Sequence, residues 1–188
     1  MSQESLPCFK ALDVRGRIPD QLNDELAYRI GQAYAQVFQA KKVVVGYDIR
    51  LSSPSMASAL MLGLRHQGVN VLDIGLGGTE MVYFGAFHLE EAGVDGGLMV
   101  TASHNPADYN GIKFVTCGAR PVSRDNGLLE IESAAIKNDF VKAATEGALE
   151  QYDILPAYIE HLLSYIDISN LKNLKVVTNP GHGGAGLV

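Results

Sequence analysis

A chain of 188 residues is long enough for one large domain, or for one domain and part of another. Its 47% hydrophobic and 19% charged residues exclude a disordered chain, and its apolar runs are too short and too often broken by Gly or charge to span a bilayer. The net charge of −6 excludes broad attraction to nucleic acid or an anionic membrane, so an anionic substrate must be drawn by a local cluster of Arg and Lys.

In chain order, Leu26, Ile30, Tyr34, Val37 and Phe38 recur at helical spacing, with Asn23 or Asp20 available as the cap. Residues 41–46 (KKVVVG) read as a buried strand. A helix capped by Ser52 or Ser53, with Pro54 in its first turn, runs to about Gly68. A second strand follows at 69–74, and Thr79 begins a helix that Gly93 stops. A third strand covers 96–100, a fourth 112–116, and a helix spans 125–138. The pattern weakens over 142–153, which sets domain bounds of 1–150 and 151–188. Beyond it a helix at 155–165 and a strand at 174–178 lead into a glycine-rich turn, too little to close a second core. Alternating strands and helices predict an α/β fold: a three-layer α/β/α domain on a mixed, largely parallel sheet, then the incomplete start of a similar domain.

The opening Met-Ser-Gln-Glu has neither the basic stretch nor the apolar run of a secretory signal, so a cytoplasmic setting is expected. Cys8 and Cys117 stand far apart in no metal-like spacing and are expected as reduced thiols.

The chemistry concentrates in residues 101–113. Ser103 follows a strand, where ligands of open α/β sheets gather, with His104 beside it and Lys113 ten residues on. Asn105-Pro106 and Asn110-Gly111 are turn formers that give the loop a fixed shape. A serine hydroxyl needs a base or a metal to become a useful nucleophile. The same residues also make an ordinary polar loop whose Ser and Asn bond backbone groups, and composition does not separate the two.

The string TASHNPADYNGIKF resembles the active-site loop of the α-D-phosphohexomutase superfamily, the phosphomannomutases and phosphoglucomutases. FKALDVRG at 9–16 resembles that family's N-terminal segment, GYDIRLS at 46–52 its G-x-D-x-R-x-S turn, and Asp73-Ile74-Gly75 with Gly78-Thr79 its D-x-G segment. The similarity covers nearly the whole chain. It implies that Ser103 carries a phosphoryl group, alternately given to a phosphorylated hexose and taken back, through a bisphosphorylated sugar. It implies that His104 and Lys113 act beside it as acid, base or charge-stabilising groups, and that Arg15 and Lys113 line the phosphoryl site. Mg²⁺ is the implied cofactor, with the Ser103 phosphate as one ligand. Such a cationic set suits a reaction governed by placement and charge neutralisation. Arg50 and Asp48 read as a bracing pair.

Leu12 stands where many relatives have Tyr, so a hydroxyl is missing there. The family's metal loop, D-G-D-G-D-R, does not occur within the 188 residues. The chain by itself is therefore expected to be inactive. Mannose phosphate is the favoured substrate, with glucose phosphate as the alternative. A non-catalytic sugar-phosphate-binding or interaction module is a further reading. Gly181-His182-Gly183-Gly184-Ala185-Gly186 also satisfies G-x-G-x-x-G, which could seat a dinucleotide or simply make a tight strand-to-helix turn.

Overall fold

The computed structural model describes residues 5–181 and 183–184. A seven-stranded sheet is built from β1 (Val14–Arg17), β2 (Lys42–Tyr47), β3 (Asn70–Leu76), β4 (Gly96–Val100), β5 (Tyr109–Thr116), β6 (Arg120–Pro121) and β7 (Leu149–Gln151). Its order is β1-β5-β4-β2-β3-β7, with β6 also on β5. β4, β2, β3 and β7 are mutually parallel, while β5 runs against β4, β1 and β6. A single reversed strand thus makes the expected, largely parallel sheet a mixed one.

Four α-helices cover it, α1 (Asp24–Phe38), α2 (Ser53–His66), α3 (Thr79–His88) and α4 (Leu129–Lys137), and a fifth, α5 (Leu155–Leu163), packs against α3 through Tyr158. Successive strand residues point to opposite faces, and the core divides accordingly. Val43, Val45, Leu98, Val100, Ile112 and Phe114 pack with Ile30, Tyr34, Leu60, Leu64 and Ile131 from α1, α2 and α4. Val44 and Leu72 point to the opposite face, where Gly85 of α3 lies against Val44. These faces give three layers. Asn23 is the cap of α1, its side chain accepting the Leu26 N–H at 2.9 Å. α1 and α2 cross so closely that a Cβ on Gly63 would overlap the Tyr28 carbonyl.

Three expectations are corrected. β5 begins at Tyr109 rather than 112, because its first residues pair with β1, a strand whose sequence VRGR has no apolar alternation. The helix over 125–138 is divided: Arg124–Leu128 forms a wide turn with Gly127 at φ 130°, and α4 starts at Leu129. A side chain at Gly127 would run into the Phe38 ring, so this position needs glycine. Residues 174–178 form no strand; Leu174, Val176 and Val177 are exposed. An extended segment becomes a strand when a neighbour pairs its N–H and C=O groups, and no described strand lies beside this one. Part of the 181–186 glycine turn, His182 and residues 185–188, lies outside the described residues.

Candidate active site

The Ser103 loop leaves the carboxyl end of β4 and returns as β5. Ala102 is buried and Ser103 is exposed. Ser103 adopts a left-handed conformation with φ 52°, which for a residue bearing a Cβ costs about 1–2 kcal/mol. Two devices hold it there. Its N–H donates to Thr101 Oγ1 at 2.9 Å, and that hydroxyl donates to Asp48 Oδ2 at 2.7 Å. Arg50 then clamps the loop from outside. Nη2 donates to the carbonyls of Ser103 (3.0 Å) and Asn105 (2.7 Å), and Nη1 to those of Pro106 (2.7 Å) and Tyr109 (2.9 Å). Hydrogen bonds from a charged donor contribute about 1.5–3 kcal/mol each, so four of them outweigh the local strain. The predicted brace is present, with Arg50 Nε 3.4 Å from Asp48 Oδ2, but Arg50's larger contact is with the serine loop.

The base of the loop is equally fixed. Asn110 is buried and its amide donates to Ser52 Oγ (2.8 Å) and Ser53 Oγ (3.0 Å) at the start of α2. Asp73 of the D-x-G segment accepts the Gly75 N–H at 2.8 Å and a hydrogen bond from Gln151 at 2.6 Å, so it shapes the end of β3.

Of the three residues singled out beside Ser103, only His104 comes within hydrogen-bonding reach of Ser103 Oγ, with Nδ1 at 3.3 Å, and both side chains are exposed. Arg15 and Lys113 come from neighbouring strands. Arg15 lies opposite Gly111, so it shares a sheet face with Lys113 two residues on. Arg15 Nη1 donates to Asn105 Oδ1 of the loop, and Nη2 to Asp13 Oδ2 at 2.8 Å. Lys113 Nζ reaches the same Asp13 oxygen at 3.2 Å. Arg15 Nε is the one buried side-chain nitrogen or oxygen without a partner among the described residues. Two positive side chains, Arg15 and Arg50, therefore bond the loop directly, and Lys113 joins them through the Asp13 carboxylate it shares with Arg15.

Sequence reasoning left Asp13 unassigned and gave Arg50 only its brace with Asp48. Asp13 precedes Arg15 by two, the spacing that puts both on one face of an extended chain, and that spacing was the available signal. Nothing in the sequence marked the reach of Arg50 across to residues 103–109. For a metal, Ser103 could offer one oxygen. Among the described residues no group of three or more His, Cys, Asp or Glu side chains is placed to hold a cation. The residues present therefore do not by themselves form a magnesium site.

An exposed serine on a loop at the carboxyl end of β4, in an α/β/α domain whose β1 carries Arg15 to that loop, defines the class of domain. Residues 7–142 match the phosphoglucomutase/phosphomannomutase α/β/α domain I family, and the chain belongs to it. It is 51% identical to a phosphomannomutase of Salmonella montevideo and 49% identical to one of Escherichia coli K12, each over 98% of this chain. A protein of Xanthomonas campestris described as phosphohexose mutases is 52% identical over 98% of it. The chain spans 40% of the length of each of these relatives. A solved phosphoglucomutase/phosphomannomutase family protein from Burkholderia thailandensis superposes with a TM-score of 0.78 at 34% identity, covering 89% of this chain and 38% of that one.

Proposed function

We propose that this chain supplies the phosphoserine domain of a phosphomannomutase, which interconverts mannose 6-phosphate and mannose 1-phosphate. The observation that carries the reading is Ser103 Oγ, exposed on a strained but clamped loop that Asn105 ties directly to Arg15. In the forward direction the bond between Ser103 Oγ and phosphorus breaks as the hydroxyl of a hexose monophosphate takes the phosphoryl group. The proton lost by the sugar hydroxyl is matched by one taken up at the freed Ser103 Oγ. In the return step the other oxygen–phosphorus bond of the bisphosphorylated sugar breaks, Ser103 Oγ gives up that proton as it takes the phosphoryl group, and the sugar oxygen left behind gains one.

Phosphoryl transfer leans on charge neutralisation and alignment, which is the contribution expected of Arg15 and Lys113. The 3.3 Å between His104 Nδ1 and the hydroxyl supports proton exchange between them as the role of His104. When bound, Mg²⁺ would neutralise phosphoryl charge; the serine phosphate would offer it one oxygen, and its other ligands are not among the described residues. The mannose assignment draws on the names of relatives near 50% identity, with glucose phosphate as the competing substrate. A bisphosphorylated intermediate must turn over in a closed, water-poor cleft, which one exposed loop cannot provide.

The boundary near 150 belongs to the same reading. β7 at Leu149–Gln151 still pairs with β3, whereas α5 has no buried residue and reads as the opening of a second domain. No described helix is long and apolar enough to cross a membrane. Cys8 and Cys117 are both free thiols, which suits a cytoplasmic protein.

Mass spectrometry of the peptide carrying residues 101–113 from cell-derived protein should find phosphate on Ser103. Ser103→Ala should remove both that phosphate and mutase turnover in the full-length gene product. A Ser103→Ala protein with full activity would falsify the reading.

A further inference from the structure

Lys113 lies on β5 and Arg15 on β1, and what joins them is a third side chain that no role yet explains. Asp13 Oδ2 accepts from Arg15 Nη2 at 2.8 Å and lies 3.2 Å from Lys113 Nζ. Its backbone is fixed by a tight hairpin: the Lys10 N–H donates to the Asp13 carbonyl at 2.8 Å, and Phe9 bridges Val14. Its side chain is 13% exposed, less than that of either cation it holds. Arg15 passes the connection on to Asn105, two residues from Ser103. Lys113, Asp13, Arg15 and Asn105 thus form one continuous chain of polar contacts ending in the serine loop.

We propose that Asp13 is a positioning residue that sets the place and the charge of Arg15 and Lys113, the two cations assigned above to the phosphoryl group. The proposal rests on the phosphoserine reading. Two cations against one carboxylate leave a net single positive charge. That is enough to attract a phosphoryl group, and the carboxylate keeps the long, flexible lysine from collapsing onto it in one fixed ion pair. A lysine has four rotatable bonds, and ordering it ahead of reaction is where a fixed partner has its effect. Tyr83 of α3 is half-buried near the same carboxylate, and its hydroxyl proton is held more tightly, first by burial and then by the charge of Asp13.

The test is Asp13→Asn in the full-length gene product, alone and combined with Lys113→Ala. Loss of a charged hydrogen bond in the reacting arrangement should lower kcat about tenfold to a hundredfold while KM changes by less than about threefold. In the Lys113→Ala background the same substitution should cost less, because one of the two cations it positions is gone and only the part that runs through Arg15 remains. An Asp13→Asn enzyme with unchanged kcat, or one whose loss is identical in both backgrounds, overturns the proposal. A second measurement needs no turnover. In brief acetylation with acetic anhydride, followed by peptide mass spectrometry, Lys113 of the 188-residue chain should react severalfold faster after Asp13→Asn, with exposed Lys137 unchanged as the internal standard. Equal Lys113 rates overturn the proposal. Should Asp13→Asn not fold, Asp13→Glu keeps the charge but displaces the carboxylate, and the same two readouts apply. An unmutated protein with neither phosphate on Ser103 nor mutase activity would defeat the function proposed above, and the acetylation result would still decide whether Asp13 holds Lys113.

Discussion

The serine loop and the segment from 171 to 181 look alike in sequence: each joins β-prone residues to polar and glycine-rich turns. They differ in what neighbouring elements deliver to them. The loop receives four hydrogen bonds from Arg50, one from Arg15, and a buried Asn110 at its base. Residues 171–180 carry no regular structure, and Leu171, Leu174, Val176 and Val177 are exposed. A loop holds a strained conformation when rigid elements supply donors from several directions; turn-forming residues alone do not achieve that.

The largest expected effect uses a glycine on each side of this contrast. Gly111 sits where β1 and the loop meet, and a Cβ there would lie 2.7 Å from the Thr101 carbonyl oxygen and closer still to that of Val14. Both obstacles are backbone and cannot rotate away. Gly111→Ala should therefore destabilise the fold by about 3 kcal/mol or more, as overpacking against fixed atoms does. Gly181 has φ 60° but no described atom within 4 Å of its would-be Cβ, so Gly181→Ala should cost about 1 kcal/mol of local strain without lowering the melting temperature of the sheet. Thermal denaturation of the two variants checks this, and equal losses would end the distinction between the regions.

Next in size is the clamp itself. Arg50→Met keeps the length of the side chain but leaves four loop carbonyls without their donor and Asp48 without its cation. Water can replace part of this at a partly exposed site, so a loss of about 2–3 kcal/mol is expected. Hydrogen exchange should rise over residues 101–110 and stay unchanged in α1 and α2. Even loss of protection across the whole domain would show that Arg50 supports the fold at large rather than the loop.

How much of this was legible beforehand follows from the range of the interactions involved. α1 and the core strands β2, β3 and β4 showed in the sequence because burial imposes a period on neighbouring residues. β1 and β7 did not, since VRGR and LEQ carry no apolar alternation and become strands through pairing with residues 78 to 98 positions away. Residues 174–178 show the converse: apolar alternation without a pairing partner. At the site, the motif identified Ser103, His104, Lys113 and Arg15 by resemblance, and their placement about one loop depended on sheet order that no local pattern contains. Asp13 and Arg50 lay inside quoted motifs, yet their contacts to Lys113 and to the loop carbonyls span 100 and up to 59 residues.

The smallest effect probes how tightly the segment leading into the site is closed. Cys8 is fully buried, and its carbonyl accepts the Arg15 N–H, so it reports directly on the strand that carries Arg15. Burial pushes its thiol from an ordinary 9.0 up to about 11. The folded state therefore holds this proton more tightly than the unfolded chain does. The resulting stability is fully present below pH 9 and is lost as pH rises through about 11. Cys8→Ala should flatten that part of the stability–pH curve, at the cost of one packed sulfur. Cys117 is exposed, its thiol raised by a hydrogen bond to Glu90. Iodoacetamide at pH 8 should thus modify Cys117 in the native protein and reach Cys8 only at the rate of unfolding. Rapid native labelling of Cys8 would mean that the segment feeding Arg15 into the site opens locally, and that the anchored side of the molecule is looser than its contacts indicate.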